Sequence, residues 1–286
     1  MSGLLARRAR VVALNLAVAL LALAVIIPLV WMVTVSFMPR YASSAFPPPF
    51  WPTRWTWENY HELLARRLID GAWFDYRIVP AIGNSLFVAG VSTLLGLMLT
   101  VPAGYAFAKL KFRGRERLLQ LLIATLVVPG QVAMLPLFLI FKELGLVNSY
   151  AGVILPSLAG IFAILFVRQA TLAIPDEMLD AARLDGAGEM RIFVSLVLPL
   201  LAPVTVTLAL FMFLGSWNDF LWPLIVLADQ QRYTLPVAVA AIAREHAADG
   251  ELMMAASVVT TMPVLLLFLM LQRYYLRGLL GGSLKG

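Results

Sequence analysis

Cysteine is absent from the 286 residues, so neither a disulfide framework nor thiolate chemistry is open to this chain. Charge is scarce. Asp, Glu, Lys and Arg make up 13% of the residues, against about 25% in a soluble domain. Histidine occurs only at His61 and His246, without metal-ligand spacing, and each reads as a solvated loop side chain. No Gly-x-x-x-x-Gly-Lys-Ser/Thr loop is present, and the closing GGSLKG is too short and misordered to replace one. ATP is therefore not cradled by this chain. Asp176 and Glu177 are adjacent, and neighbours on a helix point apart, so they do not form a general acid–base pair. An enzyme embedded in a membrane needs a catalytic constellation, and none is visible.

What remains is apolar. Hydrophobic residues are 61% of the chain, and the mean hydropathy is +0.87. Charge-free windows long enough to cross a bilayer, about 18 residues or more, occur six times: Val11–Phe37, Val79–Ala108, Leu118–Phe141, Leu144–Val167, Ile192–Asn218 and Leu252–Gln272. Each is expected to be a helix, because lipid tolerates only internally hydrogen-bonded backbone. The first follows Arg7, Arg8 and Arg10. It is far longer than the ~7–15 residue core of a signal peptide and lacks a small-residue cleavage site, so it reads as a retained span. The net charge of +6 does not imply nucleic acid, since the basic residues sit between apolar runs rather than on one domain.

Six spans place both termini on one side. The loop after the second span holds Lys109, Lys111, Arg113, Arg115 and Arg117, and Arg273, Arg277 and Lys285 follow the sixth. On this side fall 14 of the 22 basic residues but six of the 16 acids, which makes it cytoplasmic by the positive-inside rule. The expected fold class is thus an all-α membrane protein with cytoplasmic termini. Two external pieces remain, 38–78 and 229–251. In the first, the prolines of FPPPFWP read as extended chain, and Trp55, Trp57 and Tyr60 fit an interfacial aromatic belt. In the second, Tyr233–Ala243 is apolar but too short to span, and reads as a packed or partly embedded helix. Pro28, Pro102, Pro129, Pro136, Pro156, Pro199, Pro203 and Pro263 fall within spans, as tolerated kinks or as parts of a moving bundle.

One stretch interrupts this pattern. LDAARLDGAG, residues 179–188, carries three charges and two glycines between long apolar runs. Upstream, Pro175 and the acids Asp176 and Glu177 mark a helix start. Gly186 or Gly188 ends it, which predicts a helix from Asp176 to Leu184. Met178, Ala181 and Ala182 share a face by their spacing, with Asp180 and Arg183 at its flanks. A second helical piece, Glu189 to Val197, leads into Pro199. So short a helix is marginal alone in water. It either packs on its own bundle or docks a cytoplasmic partner.

Near the far end of the fifth span, Asn218 and Asp219 are polar groups roughly 30 Å along the helix from Leu198, counted at ~1.5 Å per residue. With Trp217 and Trp222 they could line a pore or gate, or offer aromatic faces for a solute to stack on. The alternative is an interfacial belt with a helix-breaking turn around Gly215.

Asp180-Ala181-Ala182-x-x-x-Gly186, nine residues, then Leu196-x-Leu198-Pro199 resembles the cytoplasmic signature of binding-protein-dependent ABC importer permeases. That signature is Glu-Ala-Ala, a Gly, then Ile-x-Leu-Pro; Asp180 and Leu196 are the two departures here. AFAKLKFRGR (106–115), GSWNDFLWPLIVL (215–227), QRYTLPV (231–237) and QRYYLRGLLGGSLKG (272–286) are similar to the carbohydrate branch, in particular to the smaller membrane subunit of maltose-type importers. The resemblance covers nearly the whole chain and is weakest in 38–78.

It implies a type I ABC importer permease in the bacterial cytoplasmic membrane. The span 11–37, the external segment 38–78, the core 79–278 and the tail 279–286 would form one permease domain. It implies a pore shared with a second permease subunit, two cytoplasmic ATPase subunits using ATP and Mg, and an external solute-binding protein. The solute is expected to be a sugar, with a glycerol phosphodiester or polyol as the alternative. Segment 176–188 would be the coupling helix, with Met178, Asp180, Ala181, Ala182, Asp185, Gly186, Leu198 and Pro199 as its residues. ATPase closure would then rock the spans as rigid bodies, and the tail after Arg277 would reach the ATPase pair. A secondary transporter would need intramembrane ion-coupling residues and often inverted repeats, and neither is evident.

Overall fold

The computed structural model describes residues 2–64, 67–69, 72–74, 78–245 and 249–283. His246, Lys285 and the end of the 279–286 tail lie outside them. The chain opens with α1 (Ser2–Ser36), whose side chains from Val11 to Leu29 are all exposed, whereas its end, Thr34 to Ser36, is buried. Then come α2 (Glu58–Leu64), β1 (Arg67–Ile69), β2 (Ala72–Phe74), α3 (Ile78–Lys109), α4 (Arg115–Thr125) and α5 (Gly130–Glu143). They are followed by α6 (Tyr150–Ile154), α7 (Ile161–Leu172), α8 (Asp176–Leu184), α9 (Glu189–Ile192), α10 (Leu198–Leu200) and α11 (Ala202–Trp217). The order ends with α12 (Leu221–Val226), α13 (Leu235–Glu245) and α14 (Gly250–Ser283).

Three of the six apolar windows become continuous helices: α1, α3 and α14. The other three are broken. The α4–α5 pair bends by 101°, the α6–α7 pair by 41°, and the pair Glu189–Leu200 and Ala202–Trp217 by 77°. Prolines divide between the two classes. Pro28, Pro102, Pro136 and Pro263 sit inside helices without ending them, whereas Pro129, Pro156, Pro199 and Pro203 lie at or beside the breaks. A proline removes one helical hydrogen bond, and neighbouring turns either re-satisfy the freed carbonyl or the helix stops. The window 144–167 fails as one helix for a further reason. Its first residues form a turn in which Asn148 takes a left-handed backbone, φ 58°, before Ser149 caps α6 through Gly152 N–H.

Among the described residues the fold is all-helical apart from one short hairpin. β1 and β2 pair antiparallel, with Arg67 opposite Phe74 and Ile69 opposite Ala72. The sequence between them is Asp70-Gly71, a two-residue hairpin signal.

The chain divides into two compact units. The first comprises residues 1–78 and 239–263. Phe37 there meets the rings of Trp55, Trp57 and Tyr60 at 5.7, 4.8 and 5.1 Å. Trp55 and Trp57 are exposed, in keeping with a belt, but Tyr60 is half-buried and shares a 2.8 Å hydrogen bond with the Ser36 hydroxyl. Glu251, fully buried, accepts from the backbone N–H of Tyr41 (3.1 Å) and Ser43 (2.6 Å). Asn59 donates to the carbonyls of Ser36 and Met38. Arg40 pairs with Glu62 and Asp249, and Asp249 caps α14 by accepting from Leu252 N–H at 3.0 Å. Hydrogen bonds and ion pairs therefore fix residues 36–43 and 59–62 of this unit.

The second unit comprises 79–238 and 264–286. One core cluster joins Val101 and Tyr105 of α3, Ala163 and Val167 of α7, Ile174, Leu179 of α8, Ile192 of α9, and Leu208 of α11. Another joins Val88 of α3, Phe141 of α5, Val153 and Ile154 of α6, and Trp222 and Val226 of α12. The contact between α3 and α7 depends on Gly104. A Cβ there would lie 2.6 Å from Val167 Cβ and 3.0 Å from Arg168 N, closer than packed atoms approach.

Candidate functional site

The helix expected over Asp176–Leu184 is α8, with those bounds. Pro175 precedes it with φ −59°, and Asp176 and Glu177 occupy its first turn, where the helix dipole favours acids. Its far end is a Schellman motif. Ala187 N–H bonds the Ala182 carbonyl and Gly186 N–H bonds the Arg183 carbonyl, each at 3.0 Å. Gly186 takes φ +81°, a conformation that glycine adopts without strain. Ala182 and Ala187, joined by the longer of these two turns, both pack against the core cluster.

Leu179, 1% exposed, is the side chain that fastens α8 to the bundle, with half-buried Ala182 beside it. Met178 and Ala181 lie on the outward side and are exposed. The face shared by Met178, Ala181 and Ala182 is thus split. The larger Leu179 takes the interior place, and Ala182 follows it at i+3. Leu184, 89% exposed, and Met190, 75% exposed, add apolar surface that the sequence reading did not single out. Asp180, Asp185 and Gly186 are exposed as well.

Polar contacts hold this helix at both ends. Lys109, at the end of α3, donates to the Ile174 carbonyl (2.6 Å) and to Asp176 Oδ1 (2.7 Å). That hydrogen bond, with the ammonium charge, holds the Asp176 carboxyl below the usual aspartate range. Arg183 bonds Glu189 Oε1 (2.8 Å) and Asp180 Oδ1 (2.7 Å), and both push its guanidinium further up. Tyr105 OH completes the chain by donating to Glu189 Oε2 at 2.7 Å. Lys109, Tyr105 and Glu189 were not among the candidate residues. The Asp180–Arg183 spacing was readable as a helical pair, but a tyrosine 84 residues from its glutamate partner leaves no local signal.

Leu198 and Pro199 stand apart from the exposed face. They form α10 at the 77° bend, and Leu198 packs on the core cluster. Just before them, Phe193–Val197 is a π-helical turn, a widening seen mostly as a local bulge.

The second candidate group is also split. Trp217 is 1% exposed and stacks on Phe213 at 5.9 Å. Trp222 is 5% exposed, donates to the Gly152 carbonyl at 2.9 Å and meets Phe141 edge-on. Both indoles are packing groups inside the subunit, so neither offers a ring face for a sugar to stack on. Asn218 is exposed and bonds the Leu214 carbonyl, closing α11, while Asp219 is half-buried. Among the described residues, no group of three or more His, Cys, Asp or Glu could hold a metal ion.

Comparison with known proteins bears on what such an arrangement does. Residues 94–280 match the family described as binding-protein-dependent transport system inner membrane component. The arabinooligosaccharides transport system permease protein AraQ of Halalkalibacterium halodurans is 34% identical over 275 residues, 96% of each chain. The lactose transport system permease protein LacG of Rhizobium radiobacter is 35% identical over 198 residues, 69% of this chain and 72% of that one. A chain in the crystal structure of a bacterial ABC transporter involved in the import of alginate shares the fold, with a TM-score of 0.81 at 21% identity, over 94% of this chain and 97% of that one. The chain belongs to the inner-membrane permease components of binding-protein-dependent transport systems.

Proposed function

We propose that this chain is one membrane-spanning half of the pore of an ATP-driven importer for a sugar or oligosaccharide. In this reading it crosses the membrane six times, three of them through bent helix pairs, with both termini cytoplasmic. A second, different permease subunit supplies the other half. An external binding protein delivers the solute, and two cytoplasmic ATPase subunits use ATP and Mg. The relatives named for arabinooligosaccharides and lactose speak for a sugar over a glycerol phosphodiester or polyol.

The observation that carries the coupling role is the two-faced α8. Leu179 anchors it inward, the Lys109 and Glu189 contacts hold both ends, and Met178, Ala181 and Leu184 are left uncovered. An apolar face held this firmly at a polar loop suits docking into a cleft on a partner. A push on α8 would pass through Leu179 and Ile192 to α3, α7 and α11, which share its core.

The test is purification of the tagged chain from its native membrane in mild detergent, followed by identification of what accompanies it and uptake assays in vesicles. Co-purifying ATPase and second permease subunits, with ATP-dependent uptake of labelled oligosaccharides, are expected. A chain that purifies alone and moves solute without ATP would overturn the reading.

A further inference from the structure

We infer that the loop joining α3 to α4 is a binding site for the phosphodiester headgroup of an anionic phospholipid. Residues 111–117 line an open depression of about 900 Å³ at the surface. Lys111, Arg113, Arg115 and Arg117 line it together with Phe112 and Gly114. Gly114 makes the turn possible, at φ +85°, and α4 begins at the next residue. The amino-terminal end of an 11-residue helix therefore opens where the cations gather, and its dipole favours an anion there.

The cations are not equally free. Lys109 is committed to Ile174 and Asp176. Arg115 is committed to the Leu110 carbonyl and to Glu116, which is thereby neutralised as the one acid lining the depression. Lys111, Arg113 and Arg117 make no hydrogen bond or close ion pair among the described residues. Lys111 acts at a distance on the Asp176 charge, which leaves Arg113 and Arg117, with Lys111 beside them, to complement a phosphate. The positive-inside preference accounts for the sign of this charge, but not for its gathering around one depression at a helix start.

The surroundings favour a lipid over a soluble phosphate. The loop follows directly on a 32-residue apolar helix that is long enough to cross the bilayer. Beside the cations, Phe112, Leu118 and Leu121 are 40%, 45% and 65% exposed, which offers acyl chains a surface next to the headgroup. A cluster of four to eight basic residues at the end of a span attracts anionic lipid by about 1 kcal/mol per charge. The inference rests on α3 being a span, as proposed above.

The experiment is native mass spectrometry of the delipidated full chain in detergent, titrated with phosphatidylglycerol and, separately, with phosphatidylcholine. The assay reads headgroup recognition on whichever side of the bilayer the loop lies, so its failure is distinct from a failure of the orientation. Preferential binding of phosphatidylglycerol is expected, weakened about a hundredfold in Lys111→Gln/Arg113→Gln/Arg117→Gln. Lys111→Arg/Arg113→Lys/Arg117→Lys, with the charges kept, is expected to restore it and so separates charge from folding. Equal binding of the two lipids, or a preference that the triple variant retains, would overturn the proposal. Displacement of phosphatidylglycerol by millimolar inorganic phosphate would overturn the lipid as occupant. A triple variant that keeps its lipid preference but no longer co-purifies with an ATPase would assign the loop to that protein instead.

Discussion

Two polar regions of this chain solve the problem of charge in opposite ways. Around α8, the charged groups stay at the surface and pair with one another: Asp180, Arg183 and Glu189 are all exposed. The apolar side chains Met178 and Leu184 stand out beside them. In the unit formed by 1–78 and 239–263, the charges go inside. Glu251 is fully buried and Asp249 is 5% exposed, and their partners are backbone N–H groups and Arg40. Exposed pairs contribute little to stability, about 0–1 kcal/mol. Buried charges that lose their partners cost far more. The first arrangement leaves a surface free to exchange partners, while the second is a fastening that holds residues 38–64 against the start of α14.

Substitutions can break this contrast. Glu251→Ala removes the buried acceptor of two backbone N–H groups, those of Tyr41 and Ser43. Hydrogen bonds to a charged group are worth about 1.5–3 kcal/mol each, so a loss on the order of 3 kcal/mol is expected, read as a lowered midpoint of thermal unfolding in detergent. An unchanged midpoint would mean that the buried knot is no fastening.

Gly186→Val has a smaller expected effect. A branched residue in the left-handed region costs roughly 1–2 kcal/mol. Here that strain falls on the Schellman turn and shifts α8 against the bundle. Modest destabilisation with loss of ATP-driven uptake is expected, and full uptake would separate the turn from coupling.

Asp180→Asn should be nearly silent in stability, within about 0.5 kcal/mol, because its pair with Arg183 is exposed and Arg183 keeps Glu189. A larger loss in the same unfolding assay would show that the surface pairs do structural work.

How much was legible follows the same contrast. The bounds of α8 were readable because proline, two acids and a glycine are local signals, each acting within a turn of its own position. Its inward residue was not. Choosing Leu179 over Met178 depends on where α3 and α7 lie. The six apolar windows located the long apolar helices and helix pairs but hid the three bends, since hydropathy averages over Pro129, Pro156 and Pro199, and prolines at 102 and 263 look the same in sequence yet leave their helices whole. The Asp70-Gly71 pair is a hairpin signal that the reading of 38–78, which dwelt on its prolines and aromatics, did not use. The Glu251 knot was beyond reach, because its acceptor and donors are 208 and 210 residues apart. Trp217 and Trp222 were read as pore or gate candidates from their place near the end of the fifth span, and their burial against Phe213 and Phe141 carried no local signal.

The central claim is that the uncovered face of α8 docks an ATPase subunit. Because the chain contains no cysteine, one can be placed without background. The direct measurement is disulfide or maleimide cross-linking from Leu184→Cys in the assembled transporter, with Leu179→Cys as the inward control. A cross-link to the ATPase subunit from position 184, absent from 179 and altered when ATP is added, is the result expected. No cross-link from 184 in a complex that contains the ATPase and transports solute would contradict the account.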